Sequence, residues 1–387
     1  MNTRAIYTDY SSAFTSVSHR LLLHKLKYSF NISGTALSWI ESYLHQRSQR
    51  VILDGKHSDW VPVLSGVPEG SILGPIMFTY YVADLPSHIK TSCLSYADDV
   101  KIFNRINSPA DAYSLQADLD RLSLWSKTWC LDLNPAKCKA ITFTLRSSPH
   151  LVSYVLDGHQ LERCVSVRDL GVILDAKLTF ADHIDATISK ANRMLGLLIR
   201  SMQMSTDTHR THFDDIAALT AYKAHVRSVL EYGCVIWSGA AVTHMRRLER
   251  LQHRFLMWLG ARTRPACPPL DYSSLLELFG CPSIKSRFVR TDLLFMRSVF
   301  SGRLDCIELV GMFPLSAPSR RTRRPELFRI PCNSGRVNSV KGGFLVRLPQ
   351  LLNALSRSCP QSDLFCPSHN LRSDMLAFAN DQGTYLS

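Results

Sequence analysis

The order of apolar and polar positions predicts strands in the first half of the chain. In "CLSYADDVKIF" (93–103), apolar and aromatic residues flank two aspartates, a pattern typical of two strands joined at a tight turn. The first ten residues end in "AIYTDY", which predicts a short apolar strand running into Asp9. Further strands are predicted at 139–144, 151–156 and 166–174.

Helical spacing predicts helices between these strands. Two early helices are indicated by apolar residues that share one face of each, Leu22, Leu23, Leu26 and Phe30 in the first and Leu37, Ile40 and Leu44 in the second. A β-hairpin with an Asp54-Gly55 turn follows, and then an apolar helix from about 72 to 82. Ser108 and Pro109 predict the start of a long helix, with its last apolar positions at Trp125 and Trp129.

The pattern becomes mostly helical from about Phe180 to Leu259, where Ile184, Ile188 and Leu195 lie on one predicted buried face. Beyond Arg264, prolines are frequent and the periodicity is weaker. The pattern therefore predicts an α+β half followed by a helical half. Neither a GxxxxGK phosphate loop nor a GxSxG elbow occurs in the sequence, which argues against a P-loop enzyme or an α/β-hydrolase.

Composition narrows the class of protein. The 387 residues are 45% hydrophobic and 20% charged, as expected for a globular chain of two or three domains. No signal peptide and no stretch of membrane-spanning length is evident, so no membrane association is expected. Eleven cysteines without a CxxC pair indicate a reduced intracellular protein, either cytoplasmic or nuclear.

Positive charge is concentrated in two segments. The net charge is +13, and residues 245–264 hold six Arg against one Glu, while 318–347 hold eight Lys or Arg against one Glu. Clustering of this kind favours binding to nucleic acid. The alternative is a solvated helix face or a disordered arm.

The adjacent carboxylates of Asp98 and Asp99 repel each other and would lose hydration in an apolar setting. Either they form a solvated turn, or a divalent cation such as Mg²⁺ is coordinated by their oxygens. Asp9, at the end of the first predicted strand, is the candidate for a third carboxylate. Three carboxylates in one antiparallel sheet could hold two cations for phosphoryl transfer.

Five segments occur in an order that resembles the palm motifs of reverse transcriptases from non-LTR (LINE-type, jockey-like) retrotransposons. They are "YTDYSSAFTSVSH" (7–19), "SGVPEGSILGPIMF" (65–78), "SYADDV" (95–100), "LNPAKCKAITF" (133–143) and "RDLGVILDAKLTF" (168–180). Residues 230–259 and 342–355 are similar to later parts of the same elements. The resemblance implies an α+β polymerase palm, with an antiparallel sheet and packed helices, over 1–180. A helical thumb-like region over 181–265 and a basic C-terminal extension over 266–387 would follow.

The resemblance implies an RNA-directed DNA polymerase that takes an RNA template, a DNA primer and dNTPs. It implies two Mg²⁺ ions (Mn²⁺ is the alternative) held by Asp9, Asp98 and Asp99, with the carbonyl of Tyr10 near one metal. Lys137 matches the lysine that protonates the departing pyrophosphate, and Phe14 matches the residue that excludes a 2′-hydroxyl. Template and primer contacts are implied, or predicted from the basic helix, for Gly66, Pro68, Glu69, Gly70, Ser71, Leu170, Gly171, Arg246, Arg247, Arg250 and Arg254.

Two departures favour a second hypothesis. Glu69 stands where the family usually has Gln, and a carboxylate there is expected to weaken substrate binding. The sequence also begins eight residues before Asp9, without the upstream fingers region of the family, which suggests a fragment or a decayed copy. The alternative to an active polymerase is therefore a catalytically inactive nucleic-acid-binding remnant.

Overall fold

A computed structural model describes residues 2–146, 152–203, 212–240, 242–264, 267–316, 327–329, 343–359 and 369–383. The chain divides into two compact units. The first unit is Met1–Val167 with Asp175–Lys177, and the second is Arg168–Leu174 with Leu178–Ser387.

The described strands lie at 2–175. They are β1 Asn2–Thr8, β2 Ser48–Gln49, β3 Ile52–Leu53, β4 Lys56–His57, β5 Val61–Pro62, β6 Ser92–Tyr96, β7 Asp99–Arg105, β8 Lys139–Thr144, β9 Val155–Leu156, β10 His159–Gln160, β11 Glu162–Cys164, β12 Ser166–Asp169 and β13 Val172–Asp175. The helices of the first unit are α1 Ala13–Ser16, α2 His19–Tyr28, α3 Gly34–Leu44, α4 Leu73–Val82, α5 Leu85–His88 and α6 Pro109–Thr128.

A five-stranded sheet in the order β11-β8-β1-β7-β6 organises the first unit. β1 pairs antiparallel with both β7 and β8, and β6 pairs antiparallel with β7. Only β11 departs from this arrangement, because it runs parallel to β8. The expected α+β fold with an antiparallel sheet is confirmed for the four strands β8, β1, β7 and β6.

One face of this sheet is packed against helices. Ile6 lies opposite Ile102 on one side and Ala140 on the other, and all three are buried in one core with Leu115 and Leu119 of α6. Because side chains alternate along a strand, the neighbouring residues face the opposite way. That second face carries Tyr7 with its two cross-strand partners, Lys101 and Lys139.

The predicted turn and helix starts of the first unit are largely confirmed. Asp54 and Gly55 have φ angles of 47° and 76° between β3 and β4, as the hairpin prediction requires. α6 begins at Pro109, and the Asp111 carboxylate accepts the Ser108 backbone N–H at 2.8 Å. Helix ends were less predictable: α2 stops at Tyr28, before Phe30, and α6 stops one residue before Trp129.

The second unit is built from helices, as predicted for 180–259. It contains α7 Ala181–Gln203, α8 His212–Ala221, a π-helix Tyr222–Arg227, α9 Ser228–Glu231, α10 Cys234–Trp237, α11 Val242–Thr263, α12 Tyr272–Leu278, α13 Ile284–Phe300, α14 Ile307–Gly311, α15 Phe344–Ser358 and α16 His369–Gly383. Helices thus continue well beyond Arg264, where weak periodicity left the sequence uninformative. In α13, Val289, Leu293 and Met296 recur at helical spacing and are buried in a core with α15 and α16.

Part of the predicted basic extension cannot be described. Of the basic segment 318–347, only 327–329 and 343–347 belong to the described residues. Among the described residues, no helix combines the length and the apolar character that crossing a membrane requires.

Candidate active site

Asp9 and the Asp98-Asp99 pair meet at one end of two adjacent strands. Thr8, the last residue of β1, pairs with Val100 of β7. Asp9 directly follows the end of β1, and Asp99 precedes Val100 at the start of β7, so the two aspartates lie at the same end of neighbouring strands. Asp98 precedes Asp99 in the turn. The three sequence-predicted carboxylates are therefore located at the same end of β1 and β7.

The turn before β7 is displaced from its predicted position. Tyr96 pairs with Asp99, so the two-residue loop is Ala97-Asp98, and Asp99 is already a strand residue. A two-residue hairpin loop needs a positive φ at one or both loop positions. Ala97 supplies it with φ 53°, a left-handed conformation that is costly for a residue other than glycine. Strain of this kind is common at functional sites.

The backbone at Asp9 is held by the segment that leads into β8. The Asn134 N–H donates to the Asp9 carbonyl at 2.8 Å, and the Ser11 N–H donates to the Asp132 carbonyl at 2.8 Å. The Asp9 N–H points at the Sγ of Cys138, 3.5 Å away. Cys138 is fully buried, and burial raises the pKa of its thiol, so it stays neutral beside the carboxylate.

Lys137 provides a positive charge at this carboxylate. Its Nζ lies 3.2 Å from Oδ2 of Asp9, and its side chain is 65% exposed. The same Oδ2 atom is buried and accepts no well-aligned hydrogen bond, so the contact is an ion pair without the directional geometry of a hydrogen bond. Oδ2 of Asp9 is thus compensated by the charge of Lys137 and by no directed hydrogen bond among the described residues.

The donor chemistry at this site suits a divalent cation. Within the residues described by the structure, no group of three or more His, Cys, Asp or Glu side chains is arranged closely enough to hold a metal ion. The three carboxylates nevertheless fit Mg²⁺ by ligand type, and the unbonded Oδ2 of Asp9 is an oxygen that coordination would satisfy. The side chain of Tyr10, the residue after Asp9, is buried, and burial raises the pKa of its phenol.

Phe14 and Gly66 form a second part of the site. The Phe14 ring stacks on Phe78, with ring centres 4.6 Å apart, and its carbonyl accepts the Val67 N–H at 2.9 Å. Gly66 has φ +86°, and a Cβ added there would lie only 2.7 Å from the Cα of Thr15. Only glycine fits between these chain segments, so the conformation of the loop depends on it.

The rest of the 66–71 loop is braced by side chains. The Gly66 carbonyl accepts a hydrogen bond from Nη2 of Arg47 at 2.7 Å and lies 2.8 Å from Nε2 of His19. The Ser71 hydroxyl donates to the Pro68 carbonyl at 2.7 Å. Glu69 and Gly70 are exposed at the tip of the loop, where they remain accessible to a ligand.

In the second unit, Leu170 and Gly171 form a left-handed turn. The predicted strand at 166–174 is interrupted here, because Leu170 and Gly171 have φ angles of 44° and 87° and separate β12 from β13. The Tyr232 hydroxyl donates to the Leu170 carbonyl at 2.7 Å. A Cβ at Gly171 would lie 3.0 Å from Cε1 of Tyr232, and a Cβ at Gly233 would lie 3.0 Å from Cγ2 of Val172.

Tyr232 is a contact that sequence reasoning missed. It belongs to the stretch "LEYGC", 62 residues after the turn, and periodicity carries no information about such a pairing. The only available signal was that both segments resemble the same family. Gly171, Gly233 and Tyr232 therefore allow the segment at 170–172 to pack closely against the segment at 232–233.

The four arginines of α11 that were predicted to contact nucleic acid divide between two environments. Nη1 of Arg247 lies 2.6 Å from Oδ1 of Asp185, and Nη1 of Arg254 lies 3.4 Å from the Asn192 side-chain oxygen, both on α7. Arg246 and Arg250 instead line a cavity of about 1070 Å³. Leu248, Leu251, Phe255 and Leu259, which recur at helical spacing along α11, are buried.

Residues 1–199 match the family profile "Reverse transcriptase (RNA-dependent DNA polymerase)". Over 261 residues, the chain is 33% identical to a probable RNA-directed DNA polymerase from transposon BS of Drosophila melanogaster, covering 65% of this chain and 28% of the relative. Over 263 residues it is 29% identical to the RNA-directed DNA polymerase from mobile element jockey of the same fly, with 65% and 27% covered.

A solved telomerase from Candida tropicalis, in complex with a fragment of telomeric RNA, aligns with a TM-score of 0.40 and 10% identity. That alignment covers 97% of this chain and 49% of the telomerase chain. The chain spans between a quarter and a third of the length of the two fly relatives.

Proposed function

The chain belongs to the reverse transcriptase (RNA-dependent DNA polymerase) family of non-LTR retrotransposon type, and on that premise we propose that it extends a primer 3′-hydroxyl on an RNA template. The resemblance drawn from the ordered motifs is confirmed. The reaction, its metal ions and its substrates are the proposal. The observation that carries the proposal is the β1–β7 register, which pairs Thr8 with Val100 and so puts Asp9 and Asp99 at the same end of neighbouring strands.

In the proposed mechanism Asp9, Asp98 and Asp99 hold two Mg²⁺ ions, with Mn²⁺ as the alternative and the Tyr10 carbonyl beside one of them. Two such ions, when bound, lower the pKa of an attacking hydroxyl and stabilise charge on the phosphates. The exposed position of Asp98 and Asp99 on the turn and strand end supports access by a triphosphate. The hydrogen bond from the Asn134 N–H to the Asp9 carbonyl restrains the backbone of Asp9, so Asp9 would be the most rigidly held of the three ligands.

Lys137 is proposed as the general acid. The primer 3′-hydroxyl loses its proton to solvent water as its oxygen forms a bond to the α-phosphorus. The bond from that phosphorus to the bridging oxygen breaks, and the Lys137 ammonium gives its proton to the departing pyrophosphate. Its ion pair with Asp9, at 3.2 Å, supports this role because it keeps the ammonium at the metal-binding carboxylate. General acid catalysis of this type contributes roughly 10²–10⁴-fold to the rate.

Phe14 is proposed to select deoxynucleotides. Its ring stacks on Phe78, and the hydrogen bond from the Val67 N–H to its carbonyl fixes the backbone that carries the ring. A ring fixed in this way would clash with a 2′-hydroxyl. The loop from Gly66 to Ser71 would let the backbone approach the template and the new base pair.

Primer and template contacts are proposed for the second unit. The Leu170-Gly171 turn, braced by Tyr232, would grip the primer end. Arg246 and Arg250 of α11, which have no acidic partner at ion-pair distance among the described residues, would contact backbone phosphates. Such contacts position a duplex and carry no sequence information.

Primer extension tests the proposal. The 387-residue chain is incubated with an RNA template, an annealed DNA primer, dNTPs and Mg²⁺, and the product is resolved by length. Asp98→Asn should abolish extension, whereas Asp59→Asn, an exposed aspartate with the same charge change, should leave it unaltered. Equal extension by the wild type and Asp98→Asn would refute the proposal.

A second function, nucleic-acid binding without catalysis, is favoured by two observations. Glu69 presents an exposed carboxylate where an amide would be expected, and Lys137 already neutralises Asp9. Salt-dependent binding of RNA or DNA together with no extension would support this function. Thermal stabilisation by dNTP plus Mg²⁺ that disappears in Asp98→Asn would contradict it.

A further inference from the structure

Two side chains from different elements donate to the carbonyl oxygen of Gly66. Nη2 of Arg47 lies 2.7 Å from this oxygen, and Nε2 of His19 lies 2.8 Å from it. A carbonyl oxygen has two lone pairs and no proton to give, so both nitrogens donate and the His19 ring carries a proton on Nε2. One oxygen is therefore held by the residue before β2 and by the first residue of α2.

The helix that carries Phe14 is too short to hold its own carbonyl groups. α1 has four residues, and the last four carbonyls of a helix have no partners within that helix. The segment 65–67 supplies donors to three carbonyls in and just after α1. The three bonds run from the Val67 N–H to Phe14 at 2.9 Å, from the Gly66 N–H to Val17 at 2.8 Å and from the Ser65 hydroxyl to Thr15 at 2.8 Å. The backbone of Phe14 is thus held by the segment 65–67.

The Gly66 carbonyl and the Val67 N–H belong to the same peptide group. A peptide group is planar and almost always trans, so its oxygen and its hydrogen point in opposite directions. His19 and Arg47 hold the oxygen, while the hydrogen is donated to the carbonyl of Phe14. Donors on the oxygen also polarise the group and strengthen the bond that its N–H makes. The position of the Phe14 carbonyl therefore depends on these two side chains through one rigid group.

The ring of Phe14 depends on this backbone position. It stacks on Phe78, with the ring centres 4.6 Å apart and the planes inclined by 24°. Phe78 belongs to α4 and is fully buried, so its ring is a fixed surface. A shift of the Phe14 backbone would move the Phe14 ring along this surface and change the space in front of it. A misplacement of about 1 Å can change a reaction rate about 10²-fold.

We propose that His19 and Arg47 are positioning residues for sugar selection, which hold Phe14 against the incoming nucleotide through the peptide group shared by Gly66 and Val67. The assignment rests on the proposed function for the role of Phe14 itself. It goes beyond that function because it gives two residues that need not touch the nucleotide a part in the choice between deoxynucleotides and ribonucleotides.

The ratio of kcat/KM for dNTP to kcat/KM for rNTP, measured by primer extension with the full chain, tests this role. Arg47→Ala and His19→Phe each remove one donor and should lower the ratio by about three- to ten-fold, the value of one hydrogen bond. Arg47→Lys and His19→Gln retain an N–H donor and should recover part of the ratio. A role in stability alone would lower both kcat/KM values together and leave their ratio unaltered, which would overturn the proposal.

The chain offers a matched control for each residue. Arg50 is an exposed arginine of the same hairpin, and its guanidinium carbon lies 4.6 Å from the centre of the Trp60 ring. His24 is an exposed histidine of α2, and its ring centre lies 4.7 Å from that of Tyr28. Arg50→Ala and His24→Phe should leave the ratio unaltered. Thermal melting of each variant verifies that it is folded.

A double-mutant cycle shows whether Arg47 acts through Phe14. If it does, the two substitutions are not independent, because their effects pass through the same ring. Phe14→Val by itself should lower the ratio, and Arg47→Ala added to Phe14→Val should lower it no further. Losses that multiply in the double variant, or an unchanged ratio in folded Arg47→Ala, would overturn the proposal.

Hydrogen exchange tests the coupling without catalysis. The amides of Gly66 and Val67 are bonded to carbonyls of the segment 14–17, and they should exchange about ten-fold faster in Arg47→Ala than in the wild type or Arg50→Ala. Equal exchange in all three proteins would overturn the coupling, whatever their activity. A wild-type chain that extends no primer would refute the proposed function and with it the selection role, whereas the exchange rates would still decide whether Arg47 holds this peptide group.

Discussion

The ammonium nitrogen of Lys137 lies 3.2 Å from Oδ2 of Asp9, the carboxylate at the end of the central strand β1. This pairing joins the segment before β8 to the segment after β1, which also exchange backbone hydrogen bonds. It places a proton donor and a metal-ligand candidate in direct contact. Two roles for the lysine follow, charge neutralisation and proton donation, and they can be separated.

Lys137→Ala should lower primer extension by roughly 10²–10⁴-fold if the lysine is the general acid. Lys137→Arg keeps the charge but cannot release a proton, because guanidinium stays protonated in proteins. Arginine should therefore fail to rescue the rate, although it preserves the ion pair. Lys139→Ala, which removes a lysine paired with Glu162 of the neighbouring strand, is the control and should have little effect. Full activity of Lys137→Arg would contradict proton donation.

Phe14→Val should permit incorporation of ribonucleotides, because the shorter side chain leaves space for a 2′-hydroxyl. We expect the preference for dNTP over rNTP, measured as the ratio of kcat/KM values, to fall about ten-fold or more. Phe30→Val is the matched control, since Phe30 is also half-buried and contacts an aromatic ring, Tyr80. An equal loss of discrimination in both variants would indicate that Phe14 has only a packing role.

Replacing Arg246 and Arg250 together by Ala should weaken duplex binding equally across sequences. The salt slope should fall by roughly 0.9 for each phosphate of a B-form duplex that is no longer neutralised. The matched control is the pair Arg247→Ala with Arg254→Ala, because these arginines are engaged by Asp185 and Asn192 on α7. If both double variants flatten the slope to the same extent, the cavity-lining position of Arg246 and Arg250 has no role in binding.

Gly171→Ala should destabilise the second unit by roughly 1–3 kcal/mol, since φ +87° is unfavourable for alanine and its Cβ would press on Tyr232. Gly196→Ala should have the opposite sign, with a gain of roughly 0.5–1 kcal/mol, because Gly196 lies within α7 and a Cβ there meets nothing within 4 Å. Urea unfolding of both variants measures the difference. Equal stabilities would show that the turn is not constrained as described.

Asp118 should make stability depend on pH. This fully buried carboxylate accepts the N–H groups of Lys90 at 3.0 Å and Thr91 at 2.7 Å, and it pairs with Arg121. Burial alone would raise its pKa, but these bonds together hold the pKa below its ordinary value. A depressed folded-state pKa contributes stability above the unfolded pKa, and that stability is lost as pH falls through the folded pKa.

Asp118→Asn should therefore cost roughly 1–3 kcal/mol at pH 7, measured by urea unfolding. The cost should shrink as the pH is lowered through the acid range, because the wild-type carboxylate then becomes protonated. Asp120→Asn changes an exposed position on the same helix, and it should alter the free energy of unfolding little. A cost for Asp118→Asn that does not vary with pH would exclude the linked titration.

The sequence determined the elements whose signals are local. Short runs rich in apolar residues marked β1, β7 and β8, Asp54-Gly55 marked a hairpin, and Ser108-Pro109 marked the start of α6. It also predicted that Asp9 and the Asp98-Asp99 pair belong to strand ends, because a carboxylate next to an apolar strand must lie where it can be solvated or bound. The family followed from five motifs in order.

Tertiary structure decided the pairings between distant segments and the side on which charges lie. The β1–β7 register brings Asp9 and Asp99 to the same end of neighbouring strands. The Tyr232 hydroxyl contacts Leu170, 62 residues earlier in the chain. α11 illustrates the limit: its helical period predicted an arginine face, but only packing against α7 separated Arg247 and Arg254 from Arg246 and Arg250. Local propensity is set by a few neighbouring residues, whereas these contacts depend on which surfaces the folded chain brings together.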